Sequence, residues 1–467
     1  MIIFPRRFAR PGNPPPSEGN SAAMKLTQTT PSTTPRRGRP FLAAPVLALL
    51  AVLTLFISAC AGSGGPEPTQ ATGTGEVPKD VSGTVRILME NVPDTDIVKS
   101  MVPEFNKDYP NVKVDIETLT YDQMRDKLVS SFQSSSPTYD LIIVDNPWMV
   151  DFANAKFLQP LDARIDGTPD YDAKDFFPSL TDITTVDGVR YGVPFYNYAL
   201  GYLYNTDDLA QAKLEVPKTL DELVSTSKAL KSGARAGIAM QPQRGYKIFE
   251  EWGNWLFAAG GSIYDQNGKV SLNTPQAKQA LNAYIDTYKT AAPPNSLNWA
   301  FDEAFRSVSG DQAASMISYN WNLPALNDPG SGPSAGKFKL AAIPGGKAVL
   351  GSWSWAIPAN SGASDAGWAF ASWLTSKVHD VQRTEKGGAA IRQSTLKDPA
   401  VLGGKYGADY YTTVEQILGN ASPLSQGPSG EEMIQAVGTE LNEAVAGTKS
   451  VDDALAAAQA AAEKIQG

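Results

Sequence analysis

Tyr139-Asp140-Leu141-Ile142-Ile143-Val144 is a nearly continuous apolar run. Such a run marks a strand covered on both faces, the usual setting in a parallel sheet flanked by helices. Working outward, Thr84-Val85-Arg86-Ile87-Leu88-Met89 is a β-favouring segment and Val112-Lys113-Val114-Asp115-Ile116 alternates as a strand does. Between them, Ile97, Met101 and Phe105 recur at helical spacing over Asp96–Tyr109, and Met124, Leu128 and Phe132 do so over Tyr121–Phe132. The β-α-β-α-β alternation predicts an α/β fold with a mainly parallel sheet.

Further along, Asp187–Pro194 reads as a hairpin turn feeding a strand, and Tyr202–Asn205 continues the β pattern. Thr219 followed by Glu222 is a capping box opening a helix. Ile248–Ala259 reads as an aromatic helix, and Thr274-Pro275 opens another, with Ala280, Tyr284 and Tyr288 on one side. Ala313–Tyr319 and Ser352–Ala356 read as strands, and Asp365–Leu374 and Val451–Ile465 as helices. No internal repeat is present.

The chain has 467 residues, 42% hydrophobic and 9% aromatic, an ordinary globular composition with core enough for two or three domains. Charge is unevenly spread. Residues 1–59 carry seven Lys/Arg and one Glu, which leaves −15 on residues 60–467 from the total of −9. A body this acidic is a poor nucleic-acid binder. One Cys excludes an internal disulfide, and one His excludes a multi-histidine zinc site. That His379 lies in a polar run and is expected at the solvated surface. No metal and no cofactor are expected.

Phe41–Cys60, FLAAPVLALLAVLTLFISAC, follows Arg36, Arg37 and Arg39 and ends in small residues, the anatomy of an export signal. Its length would also span a bilayer, so a transmembrane anchor is the competing reading. Ile57-Ser58-Ala59-Cys60 resembles the lipobox of bacterial lipoproteins, which implies cleavage before Cys60 and lipidation of its sulfur. Residues 1–59 are then a signal peptide, starting at Met1 or Met24, and residues 60–82 a Gly/Pro/Thr-rich flexible tether.

The body resembles a known family. Phe105–Pro110, Ser136–Leu141, Leu158–Leu161, Tyr191–Pro194, Leu203–Asn205, Pro217–Leu220, Gly310–Met316, Ser352–Pro358 and Gly387–Arg392 occur in the order found in extracellular solute-binding proteins of carbohydrate ABC importers, the group that includes maltodextrin-binding protein. The resemblance implies a two-lobed periplasmic-binding-protein-like (type II) fold with a hinge and an interlobe cleft. By analogy lobe one is 83–195 plus 354–396, and lobe two is 196–353 plus 397–467. It also implies a monomeric, lipid-anchored receptor outside the cytoplasmic membrane, with a carbohydrate ligand and ABC permease subunits as partners, and no enzymatic activity.

A sugar needs rings to stack on and planar polar groups that bond twice, and α/β clefts offer them at strand ends. The resemblance carries Glu90, Asp145 and Asn146 as substrate-binding candidates at strand ends. Asn197 and Tyr198 are candidates after the hinge proline, with hinge packing as the competing role. Trp321 and Trp353 match ligand-stacking positions, and Arg392 and Gln241 are further polar candidates. Core packing is the expectation for Trp252, Trp255, Trp368 and Trp373, with Trp252 retained among the substrate-binding candidates. Strand alternation sets Trp353 and Trp355 on one face. Pro147 and Tyr198 replace carboxylates of maltodextrin-binding protein, so a monosaccharide, disaccharide or polyol suits the cleft as well as maltodextrin.

Two alternatives stay open. An exported glycoside hydrolase needs two carboxylates about 5–10 Å apart. A ferric-iron binder would use Tyr410-Tyr411, although neighbours on an extended strand point oppositely.

Overall fold

The computed structural model describes residues 76–466. The signal segment, Cys60 and most of the tether lie outside the described residues.

Strands β1 (Gly83–Glu90), β2 (Val112–Leu119) and β3 (Leu141–Asp145) follow one another with helices Pro93–Asp108 and Tyr121–Phe132 between them. β4 (Thr185–Val186) and β5 (Val189–Arg190) form a hairpin whose turn residues, Asp187 and Gly188, have φ of 50° and 79°. Two positive φ angles are what a tight hairpin turn asks for, and Asp-Gly supplies them. Next come β6 (Val193–Asn197), β7 (Leu200–Asn205), β8 (Ser315–Tyr319), β9 (Phe338–Ala341), β10 (Ala348–Leu350), β11 (Ser352–Ala356) and β12 (Ala421–Pro423).

The main sheet has the order β2-β1-β3-β11-β6. β1 runs parallel to β2 and β3, whereas β11 is antiparallel to both β3 and β6. β3 is therefore the central strand, and all five of its residues are buried, as its apolar run requires. Helix Ser364–Leu374 covers β1 and β3 and packs on helix Pro93–Asp108, while helix Asn146–Asn154 covers β3 and β11. A second sheet has the order β8-β7-β9, and β10 pairs with β12. Helix Tyr246–Ala258 lies against β10 and against helices Pro275–Thr290 and Gly430–Ala446.

The chain passes twice, side by side, between the five-stranded sheet and the smaller sheets, once to β7 and once from β10. β6 leaves the five-stranded sheet and becomes β7 after Tyr198 and Ala199, and β10 returns through Gly351 into β11. The Tyr198 amide donates to the Gly351 carbonyl at 2.9 Å, tying the two passages together. Opposite Trp353 and Ser354 the β6–β11 register slips by one residue, because Trp353 faces Tyr196 and Ser354 faces Pro194. Trp353 ends among Tyr121, Trp148 and Tyr196, while Trp355 packs on Phe195 and Phe370.

Three local expectations need correction. Thr219 caps its helix by accepting from the Glu222 amide, but the Glu222 carboxylate reaches back to the Lys218 amide at 2.7 Å, one residue beyond the capping-box partner. His379 is half-buried rather than solvated. Its ring stacks 3.6 Å from Trp373, and its Nδ1 lies 2.8 Å from both the Trp373 carbonyl and Ser376 Oγ. Burial pushes its pKa down. Tyr410 and Tyr411 sit in helix Gly407–Gly419, not on a strand, and their hydroxyls face different carbonyls, those of Asn320 and Thr384.

Candidate functional site

Side chains at and just beyond the ends of the parallel strands meet side chains from helices Tyr246–Ala258 and Gly430–Ala446. β1 stops at Glu90, and β3 stops at Asp145, which caps helix Asn146–Asn154 by accepting from the Asn146 amide at 2.9 Å. β2 is followed, after Thr120, by Tyr121, the first residue of the next helix. From the other side come Tyr246, Lys247 and Glu250 in the first turns of helix Tyr246–Ala258, Tyr319 at the end of β8, and Glu431 in the first turn of helix Gly430–Ala446. Tyr198 stands on the passage between the sheets.

Carboxylates and phenols meet here. Asp145, 1% exposed, accepts from the Tyr198 hydroxyl on Oδ1 at 2.8 Å and from the Tyr121 hydroxyl on Oδ2 at 3.1 Å. The Tyr121 hydroxyl also lies 2.9 Å from Glu431 Oε2. A phenol has one proton to share between these two carboxylates, and Asp145 is the more deeply buried of them. Burial lifts the Asp145 carboxyl well above its ordinary range. The Tyr198 bond opposes that rise, and the charges of Glu431 and Glu90 add to it. Glu90 accepts from the Tyr196 hydroxyl at 3.1 Å. Burial pushes it up to about 7, against that bond and the positive charge of Lys247. Lys247 itself pairs with Glu250 at 2.9 Å and bonds the Tyr319 hydroxyl. Burial works against its charge, but Glu250 and Tyr319 together hold it firmly protonated.

Aromatic rings fill the intervals. Trp353 is edge-on to Trp148 at 5.3 Å and stacked with Tyr196 at 6.2 Å. Tyr121 packs on Trp148, Trp353 and Tyr246. Tyr198 meets Tyr319 edge-on at 5.5 Å, and Tyr319 stacks on Trp321 at 5.3 Å. The result is a continuous aromatic belt running from Trp148 to Trp321, with four carboxylates set into it. Among the described residues no cluster of three His, Cys, Asp or Glu side chains forms a metal site.

Of the residues singled out in the sequence, Glu90, Asp145, Tyr198, Trp321 and Trp353 gather in this belt, and Asn146 lies at its edge. Trp353 is 2% exposed and Trp321 only half-buried, so Trp321 is the more open platform. Four others have scaffold roles in this structure. Arg392 is wholly buried, donating to the carbonyls of Thr375, Tyr171 and Asp172 at 2.7, 2.8 and 2.9 Å. Its guanidinium stacks over Phe176, and none of these partners belongs to the belt. Gln241 donates through Nε2 to Ile317 and through its amide to Glu251. Trp252 is buried beside Phe249 in the helix core. Asn197 donates to the Ala390 carbonyl at 2.7 Å and accepts from Asn320, which is hinge packing.

Sequence reasoning missed Tyr121, Tyr196, Tyr246, Lys247, Glu250, Tyr319 and Glu431. The strand-end rule that found Glu90 and Asp145 applies equally to Tyr121 after β2 and to Tyr319 at the end of β8. Nothing in the linear pattern marks Glu431, which reaches Tyr121 only through the packing of its helix.

The arrangement is that of a two-lobed, type II periplasmic-binding-protein-like fold, with the aromatic and acidic cluster beside the passages that link its sheets. Residues 91–379, more than half of the chain, match the family of bacterial extracellular solute-binding proteins, and the chain belongs to it. A mannitol-binding protein of Pseudomonas aeruginosa is 24% identical over 412 residues, covering 82% of this chain and 93% of its own. A probable amino-acid ABC transporter periplasmic-binding protein of Sinorhizobium fredii is 23% identical, covering 83% and 90%. An ABC transporter solute-binding protein of Agrobacterium radiobacter, crystallised with ribitol, superposes with a TM-score of 0.73 at 25% identity, covering 82% of this chain and 99% of its own. Maltose-bound MalE3 of T. maritima superposes at 0.74 with 23% identity, covering 82% and 99%.

Proposed function

We propose that the chain is the receptor of an ABC importer for a sugar or polyol. In this reading Cys60 is lipidated, residues 60–82 tether the body to the outer face of the cytoplasmic membrane, and the receptor acts as a monomer. Lobe one comprises residues 83–195 and 354–396, and lobe two 196–353 and 397–467. They close on one ligand and deliver it, chemically unchanged, to permease subunits.

One observation carries the ligand class. Asp145, Glu90 and Glu431 all accept from phenolic hydroxyls, and among the described residues none of the three has a cation within salt-bridge distance. Carboxylates arranged to receive O–H donors between aromatic faces suit a neutral, polyhydroxylated ligand, whose hydroxyls replace the phenols and whose C–H faces stack on the rings. The ribitol and mannitol relatives support the same class. An amino acid fits less well, because its carboxylate needs a cation and Lys247 is already paired with Glu250.

The test is a thermal-shift screen with ribitol, D-mannitol, maltose and other sugars, and with amino acids as the contrasting panel. At 100 times its Kd a ligand stabilises the folded state by about 2.7 kcal/mol. The expected result is a shift with at least one polyhydroxylated compound and recovery of that compound unaltered. Shifts confined to amino acids would overturn the ligand class, and turnover of the compound would overturn the receptor role.

A further inference from the structure

Gly351 sits where β10 passes into β11, at the second crossing between the sheets. A Cβ built on it would lie 1.7 Å from both Cε2 and Cζ of Tyr198 and 2.2 Å from its hydroxyl oxygen. The Tyr198 ring therefore occupies the very space that any other residue at 351 would need for its side chain. The backbone of Gly351 is outside the left-handed region, so conformation alone would admit any L-residue here. The requirement for glycine is one of space, and the occupant of that space is a residue of the ligand site.

What the slot secures is specific. Through it the Tyr198 hydroxyl reaches Asp145 Oδ1 at 2.8 Å and lies 3.3 Å from the Tyr246 hydroxyl, while the ring edge meets Tyr319. The Gly351 carbonyl takes the Tyr198 amide at 2.9 Å, so the same glycine holds the residue's backbone and clears a path for its ring. With its proton directed to Asp145, the Tyr198 oxygen presents acceptor lone pairs to whatever enters the cleft.

We propose that Gly351 is a positioning residue of the ligand site: the side chain it lacks is the slot that aims Tyr198 at Asp145. This inference rests on the cleft being the ligand site and adds to it a hinge residue that touches no ligand. A methyl group at 351 forces the ring away by well over an ångström, which breaks the contact with Asp145.

A double-mutant cycle tests it, using wild type, Gly351→Ala, Tyr198→Ala and the double variant. Each is measured ligand-free by urea unfolding and titrated by tryptophan fluorescence with ribitol, D-mannitol and maltose as probes. In the wild-type background Gly351→Ala is expected to lower the urea midpoint and to weaken probe binding at least tenfold. In the Tyr198→Ala background the ring is gone, and the same change is expected to leave the midpoint almost unmoved. Equal losses of midpoint in both backgrounds would overturn the proposal, since they would trace the glycine to backbone freedom at the hinge. Should no probe bind the wild type, the sugar and polyol reading fails, and the ligand-free cycle still decides the role of Gly351.

Discussion

Replacing Glu90 by Gln should stabilise the ligand-free protein at pH 8 and leave its stability at pH 4 unchanged. Glu90 accepts a single phenolic bond, at 3.1 Å from Tyr196, and its nearest cation, Lys247, is held by Glu250. Burial raises the carboxyl from 4.5 to about 7, so the folded protein binds this proton more tightly than the unfolded chain does. The stability of the wild type must therefore fall as pH rises between about 4.5 and 7, and level off above. A rise of that size corresponds to about 3 kcal/mol, and residual exposure of Glu90 brings the expected gap nearer about 2 kcal/mol. Gln keeps the acceptor for Tyr196 and has no charge to bury, so it behaves as the protonated acid at every pH. Urea unfolding at pH 4, 6 and 8 measures the gap, which should open only as pH rises. A variant less stable than wild type at pH 8, or one offset equally at all three pH values, would refute the reasoning. The same change should weaken ligand at least tenfold, because the amide presents one acceptor where the carboxylate presents two oxygens.

Other substitutions separate platform from scaffold. Trp321→Ala should weaken ligand binding in a fluorescence titration with little effect on the urea midpoint, because Trp321 is half-exposed. Trp353→Ala should cost about 3–5 kcal/mol of stability as well, since that indole is 2% exposed among three other rings. Arg392→Met should destabilise by about 3–5 kcal/mol, leaving three buried carbonyls without this donor and the Asp175 carboxylate without its cation, while ligand affinity in the folded fraction stays at the wild-type value. Cys60→Ala should abolish incorporation of labelled fatty acid and release the protein from the membrane fraction; no label on the wild type together with a membrane-bound variant would return the apolar segment to a transmembrane anchor.

The alternation of elements was legible because each was announced by its own local pattern. The apolar run at Leu141–Val144 demanded two covered faces, and β3 has them at the centre of its sheet. Spacing of Met124, Leu128 and Phe132 required a helix, and Tyr121–Phe132 is one. Where a reading depended on non-local packing it went astray. His379 lies in a stretch of polar residues, yet helix Ser364–Leu374 brings Trp373 beneath its ring. Tyr410-Tyr411 has no periodic signature strong enough to tell helix from strand, and only the helix sends the two hydroxyls to separate carbonyls.

The cleft was half legible for a reason that bears on how it works. Residues at the ends of parallel strands are predictable, because the sheet fixes where they point, and Glu90 and Asp145 were found that way. Their partners are not, because Glu431, Tyr246 and Lys247 approach from the helical side of the other lobe, at sequence separations no pattern spans. Polar residues near the hinge are the complementary case. Asn197 and Arg392 are polar and central, but each is tied into the scaffold, Asn197 by the Ala390 carbonyl and Arg392 by three backbone carbonyls and the Asp175 carboxylate. Asp145, buried, and Glu90, partly buried, accept instead from phenolic hydroxyls, which on the proposed function are the partners a ligand's own hydroxyls would replace. On the proposed function, then, a binding residue differs from a scaffold residue in the exchangeability of its partner: a backbone carbonyl stays with the fold, whereas a phenol would give way to a ligand hydroxyl.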